Sequence, residues 1–316
     1  MTSVSHPQQT DGSFFISIAP LTSGNYSRIV IVDRIHNPSP SCFVIYRKLG
    51  LITNCCYIYG MKPIFLIIIV LASLFTQGQQ GNVASKVFAW NDLIVAKDSS
   101  TYYMKMAHGP TATLADLEML VVELDPGKSP HPALAHPDVE ELIIVKEGNL
   151  KVVTKSNSTI IGAGGVALIM PGDAHTFENT GKVLTVYYVI RFKTKTPINI
   201  ERGNQAGGSF AGDWDNWSVQ ENDKGERRAV FDRFTALFQK MELHVTSLNP
   251  GQVSHNPHKH PQEEIILVRK GTALVLLGDA AQKAAPGDLI FFSSGTQHAL
   301  KNSGTTPLEY FALQFQ

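Results

Sequence analysis

The stretch Glu263-Glu-Ile-Ile-Leu-Val-Arg-Lys-Gly271 has a near copy, Glu140-Glu-Leu-Ile-Ile-Val-Lys-Glu-Gly148, 123 residues earlier in the chain. Ahead of each copy stands another matched block. Leu117-Glu-Met-Leu-Val-Val-Glu-Leu-Asp-Pro-Gly127 answers to Met241-Glu-Leu-His-Val-Thr-Ser-Leu-Asn-Pro-Gly251, offset by 124. Behind each, Gly164 to Asn179 pairs with Gly287 to Asn302, again offset by 123. Three blocks in one order, with one residue gained or lost in a loop, define a tandem repeat.

Each repeat reads as short β-type runs punctuated by Pro-Gly and Gly. The first holds Val121–Leu124, Leu142–Val145, Val166–Ile169 and Val183–Arg191. The second holds Leu243–Leu248, Ile265–Val268, Ala273–Leu277, Leu289–Phe292 and Leu308–Phe315. No long helix-period segment competes with them, so each half is expected to be an all-β sandwich or barrel. Residues 194–228 carry Gly203, Gly207, Gly208 and Gly212 and read as a linker that wraps the surface. Trp214 and Trp217 are its expected docking points.

The first 78 residues are of another kind. Cys42, Cys55 and Cys56, the three cysteines of the chain, lie before residue 60 in a segment without sustained periodicity. At Met61 the text changes: one cation, Lys62, precedes an apolar run from Ile64 to Phe75, and small residues follow at Thr76 and Gly78. That is the order of a secretory signal peptide. The run is 12 residues, short of the roughly 20 a spanning helix needs. Residues 1–60 are therefore expected to lie upstream of the true start, 61–78 to be a signal peptide, and the mature chain to be 79–316. Export to the periplasm or the exterior follows, with no integral membrane anchor after cleavage.

The mature chain loses five cations (Arg28, Arg34, Arg47, Lys48, Lys62) and two anions (Asp11, Asp33) from 27 of each. The remaining 22 against 25 give a net charge of −3. A basic surface for nucleic acid is absent, so no nucleic-acid partner is expected. With no cysteine left, a transition metal must be held by histidines and carboxylates.

Such residues cluster in the second repeat. His258 and His260 are two apart and share a face if the segment is extended. Glu264 continues that parity, and His298 follows the turn at Ser293-Ser-Gly295. Two imidazoles and a carboxylate on one face can converge on one ion, and a jelly-roll barrel can bring His298 opposite them. Around them, His255 reads as a loop residue at the mouth. Glu263 has the opposite parity and should face outward. Gln262 shares the ligands' parity and could orient an imidazole. His244 has no assignable face, Asn302 should fix backbone, and Ile266, Phe291 and Leu300 are expected to wall the pocket.

The spacing resembles the two motifs of the cupin superfamily. The second repeat reads His258-x-His260-x3-Glu264-x6-Gly271, then Gly287-x5-Ser293-x-Gly295-x2-His298-x3-Asn302. Its departures are one extra residue before His258 and Ser293 in place of the motif proline, and neither touches a ligand position. The first repeat reads Leu134-x-His136-x4-Glu141-x6-Gly148, then Gly164-x5-Met170-x-Gly172-x2-His175-x3-Asn179. There Leu134 has replaced the first histidine. The resemblance covers nearly all of 84–316 apart from the linker. It implies a bicupin: two tandem jelly-roll β-barrels, an N-terminal domain over 79–193 with a degenerate site, and a C-terminal domain over 229–316 with the metal site.

The resemblance implies one divalent metal per chain on His258, His260, Glu264 and His298. Mn²⁺ is the first choice, with Fe²⁺, Ni²⁺ or Zn²⁺ as alternatives. His136, Glu141 and His175 form a candidate second site, with His131 as a replacement for the lost histidine. Related bicupins include oxalate decarboxylases, quercetin-type dioxygenases and ureidoglycine aminohydrolases. A metal-dependent oxygenase, aminohydrolase or decarboxylase type is therefore expected, acting on a small carboxylate, ureide, sugar acid or phenolic. The alternative is a non-catalytic metal- or sugar-binding protein, or a storage-type cupin. Pairing through edge strands, common in that superfamily, implies a homodimer.

Overall fold

The computed structural model describes residues 81–93, 95–98, 101–155 and 157–316. It also describes the two-residue strands Leu21–Thr22 and Ser27–Arg28, which pair antiparallel within a first unit, Met1–Thr76. The second unit, Gln77–Gln316, holds both repeats. The expected signal peptide at 61–78 and the start at Met61 lie outside the described residues. Among the described residues no helix is long and apolar enough to cross a membrane.

The first repeat begins with β1 (Lys86–Phe88), β2 (Val95–Asp98), β3 (Thr101–Gly109), β4 (Leu114–Leu124) and β5 (Glu140–Glu147). It continues with β6 (Leu150–Thr154), β7 (Ser158–Ile161), β8 (Val166–Ile169), β9 (His175–Glu178) and β10 (Thr185–Thr194). A short helix α1 (Ile200–Gln205) follows. The second repeat opens with β11 (Phe210–Gly212), β12 (Val219–Asn222), β13 (Gly225–Arg233), β14 (Met241–Leu248) and β15 (Glu263–Lys270). It closes with β16 (Ala273–Leu277), β17 (Ala280–Ala284), β18 (Leu289–Phe292), β19 (His298–Asn302) and β20 (Leu308–Phe315).

Each repeat folds as a jelly-roll sandwich of a seven-stranded and a three-stranded sheet. The large sheets run β11-β8-β5-β10-β4-β3-β2 and β12-β13-β14-β20-β15-β18-β1; the small ones run β9-β6-β7 and β17-β16-β19. The order shows an exchange. β1, from the start of the first repeat, pairs with β18 of the second, Val87 opposite Ile290. β11, its equivalent in the second repeat, pairs with β8 of the first, Ala211 opposite Ala167. Each exchanged strand brings a tryptophan. Trp214 lies so close to Gly164 that a Cβ there would meet its ring at 2.4 Å, and Trp90 closes on Gly287 in the same way at 3.0 Å. Both glycines also have positive φ, +88° and +99°, so no other residue fits these two positions without strain. The 194–228 stretch thus carries α1, β11 and β12, and Trp217 is buried in the core rather than laid on a surface.

Three apolar cores result among the described residues. One fills the interior of the first barrel and includes Ile143, Val145, Ile169 and Phe177. One fills the second and includes Ile266, Val268, Phe292 and Leu300. The third lies between the large sheets and joins the halves, with Leu142, Ile144 and Phe192 meeting Leu243, Ile265, Leu267 and Phe315. Phe192 and Phe315 sit with ring centroids 5.1 Å apart. β5 and β15 are therefore covered on both faces, which is why their sequences are continuous apolar runs rather than alternations.

The shared core changes the place of Glu263. Its side chain does point away from the barrel interior, but the outside of the barrel there is the other barrel, and Glu263 is fully buried. It accepts hydrogen bonds from the hydroxyls of Thr111 and Thr113, each at 2.6 Å, and from the Ala112 amide at 3.1 Å. Its repeat equivalent Glu140 reaches the other way and accepts from the Leu237 amide at 3.3 Å. Each half thus grips the turn that enters the other.

Candidate metal centre

In the second barrel the ligand candidates arrive from three stretches of chain. Glu264 is the second residue of β15 and faces the interior with Ile266. His298 opens β19. The segment before β15 runs antiparallel beside β19 through the bridge His258–His298, made by mutual backbone hydrogen bonds of 3.2 and 2.9 Å. The two stretches carrying the histidines are thereby locked together, and Glu264 lies across from them.

The side chains converge. Nε2 of His298 is 3.1 Å from Oε2 of Glu264, and Nε2 of His260 is 3.3 Å from the same oxygen. The rings of His258, His260 and His298 lie 5.0 to 5.1 Å apart, centroid to centroid. His260 and His298 each donate from Nδ1 to a backbone carbonyl, that of Gln262 at 3.0 Å and that of Thr296 at 2.8 Å. This fixes the tautomer and leaves both Nε2 lone pairs turned toward Glu264. Nε2 of His260 is buried and makes no well-directed hydrogen bond there. Three lone pairs facing one another across about 3 Å are a poor arrangement unless a proton or a cation lies among them.

The electrostatics follow. Burial alone would raise the Glu264 carboxyl; His260 and His298, when each takes up a proton at Nε2, outweigh it and hold the group at about 2. Glu264 also raises His260, while burial lowers His258. Phe292 stacks on the His298 ring at 4.2 Å and 17°, packing it from behind. Phe292 thus takes the wall position expected of Phe291, which instead faces the inter-barrel core. Ile266 and Leu300 do line the interior.

Gln262 orients His260 through its backbone carbonyl, while its side chain donates to Gln316. His255 is a loop residue, and its ring is 4.0 Å from that of His258; the two form with His298 a second group whose ligand atoms lie within 4.8 Å of one another. The signal for it was the repeat itself, since its equivalent His131 sits 5.9 Å from His175. Asn302 ties backbone, donating to the carbonyls of Leu248 and Thr306.

The first barrel brings the equivalent residues together differently. Glu141 lies 3.2 Å from His136 and 3.4 Å from His175, but those two rings stand 6.2 Å apart. Leu134 occupies the bridge position opposite His175. Arg191 enters from β10 and donates from Nε to Glu141 at 3.1 Å and from Nη1 to Glu118 at 3.0 Å. A guanidinium therefore already neutralises the carboxylate that a metal would need. The clusters close enough to share an ion, among the described residues, are the two in the second barrel.

The cupin domain family model matches residues 120–191 and 244–313. The chain carries two cupin domains in tandem, the bicupin arrangement. Solved structures share the fold at low identity. A Pseudomonas aeruginosa protein described as glyoxylate-induced superposes with a TM-score of 0.60 at 17% identity, over 75% of this chain and 91% of its own. The E. coli protein Ylba gives 0.58 at 16% identity, over 75% and 95%. A Lactobacillus farciminis oxalate decarboxylase in complex with formate gives 0.57 at 16% identity, over 75% and 87%.

Proposed function

We propose that the C-terminal barrel binds one divalent cation through His258, His260, Glu264 and His298. The protein is then a metal-dependent enzyme acting on a small organic carboxylate held at that ion. The observation that carries this is the convergence of the Nε2 atoms of His260 and His298 on Oε2 of Glu264, with both Nδ1 protons already committed elsewhere. Such a donor set takes a cation, and its nitrogen and oxygen atoms suit Mn²⁺ or Fe²⁺ over softer ions. Mn²⁺ is our first choice; the Bacillus subtilis oxalate decarboxylase, which shares the fold, is described with Mn(II) centres.

A bound ion would supply Lewis-acid polarisation of a chelating carboxylate or carbonyl. The chain's own part is to position. The carbonyls of Gln262 and Thr296 hold the two imidazoles in register, and Phe292 blocks the far side of His298. Ile266, Phe292 and Leu300 keep that side of the interior apolar. His258 is the solvent-exposed member of the set. We also infer that the chain is exported by the leader at 61–78; amino-terminal sequencing of the native protein tests this, with a start near residue 79 expected. The functional reading is tested by loading the purified protein with Mn²⁺ and following loss of small carboxylates with and without chelator. Turnover that chelation abolishes supports it; turnover that chelation leaves unchanged contradicts it.

A further inference from the structure

The repeat supplies a comparison inside one molecule. In the first barrel Leu120 pairs with Val189, Val122 with Tyr187, and Tyr103 with Val122. At the same register positions of the second barrel, His244 pairs with Ala312, Thr246 with Tyr310, and Arg227 with Thr246. So His244 stands for Leu120, Thr246 for Val122 and Arg227 for Tyr103. In the first barrel Leu120, Val122 and Val189 belong to the apolar core, with Tyr187 at the position of Tyr310. In the second the same wall carries polar groups. A barrel that only has to be stable gains nothing by that exchange, because buried polar groups cost free energy unless they are bonded.

The polar wall lies beside the candidate metal centre. Glu264, Gln314 and Glu242 are register partners in one row across β15, β20 and β14; Ile266, Ala312 and His244 form the next row on the same face. Strands lie about 4.8 Å apart, so His244 is two strand steps from the strand of Glu264, with Ala312 and Gln314 on the strand between. The charge of Glu264 is felt at His244. Nδ1 of His244 is buried, 3.3 Å from Glu242 but without a directed hydrogen bond. Tyr310 stands opposite Thr246 across β20 and β14. Arg227 is committed to Glu242 at 2.7 Å, so the wall offers hydrogen bonds without a free positive charge.

We propose that His244, Thr246 and Tyr310 form the second half of the substrate site and take the hydroxylated tail of a small carboxylate whose head sits at the metal. This rests on the metal reading above and narrows it to a sugar-acid-like compound, against a dicarboxylate or a phenolic. A dicarboxylate would bring a second negative charge to a wall whose only arginine is paired. A phenolic would place an apolar ring against the imidazole and hydroxyls of the wall.

Isothermal titration of the Mn²⁺-loaded protein tests this with threonate, 2-hydroxybutyrate and succinate. The first two share an α-hydroxy-acid head and differ in tail hydroxyls. Two tail hydrogen bonds predict that threonate binds roughly tenfold tighter than 2-hydroxybutyrate. T246V, which installs the first barrel's residue, and Y310F should each reduce that ratio, and H244L should bring it near one, with metal content unchanged at one ion per chain. Should H244L fail to fold, T246V and Y310F carry the test. Equal binding of the two hydroxy acids, a ratio unmoved in the folded variants, or tighter binding of succinate would overturn the inference while leaving the metal reading intact. A wild-type chain that takes up no ion would overturn both.

Discussion

Arg191 faces Glu141 across β10 and β5 at the register position where Gln314 faces Glu264 across β20 and β15. The two barrels thus share one frame and differ in what meets the carboxylate: a guanidinium at 3.1 Å in the first and an amide at 3.3 Å in the second. The amide is neutral and leaves the charge of Glu264 available. The guanidinium is a permanent cation and uses up the charge of Glu141.

That relationship predicts how to restore a second site. Replacing Arg191 by Gln alone leaves Glu141 with His136 and His175 but no fourth donor. The double variant L134H/R191Q supplies the second barrel's residue types, with one extra residue between His136 and Glu141. Metal content by elemental analysis should rise from one ion per chain to two in the double variant. An unchanged content of one in the folded double variant would contradict the account of Arg191.

Glu263 predicts a stability effect far from the site. Its carboxylate satisfies two threonine hydroxyls and an amide of the other half. Truncation to Ala leaves the buried Thr111 hydroxyl without its acceptor, while Ala112 and Thr113 are exposed and can turn to water, at a cost of about 1–3 kcal/mol. Glu263→Gln keeps an acceptor and should cost less. Urea denaturation measures both, and a loss under about 0.5 kcal/mol for the Ala variant would show that the grip contributes nothing.

Glu140 predicts a pH dependence. Its burial raises the carboxyl to about 7 from 4.5, against the hydrogen bonds from Thr235 and Leu237. A group whose folded value is raised stabilises fully below the unfolded value, and the contribution is lost as pH rises through the folded one. The total is about 3 kcal/mol. The wild type should therefore lose stability relative to Glu140→Gln between about pH 5 and 8, followed as melting temperature across that range. Parallel curves for the two proteins would contradict a neutral Glu140.

A two-residue period and the repeat put His260 and Glu264 on one face, and the structure brings them together with His298; His258, given the same parity, groups with His255 and His298 instead. What escaped depends on distant chain. β1 and β11 are too short to show which barrel they complete, and the exchange rests on Trp90 and Trp214 closing over glycines of the other half. Glu263 was given the correct face but not its burial, since nothing local says that the outside of one barrel is the inside of an interface. Phe291 and Phe292 could not be told apart because both faces of β18 are apolar, so alternation carries no signal. Arg191 was silent for a related reason: a basic residue near a strand end reads as solvated until its partner across the sheet is known.

The most direct test is the metal content of the protein purified without added metals, compared with Glu264→Gln and His260→Ala. One divalent ion per wild-type chain, lost in both variants while they stay folded, is the result the account predicts. A wild-type chain without metal, or one whose ion survives both substitutions, would contradict it.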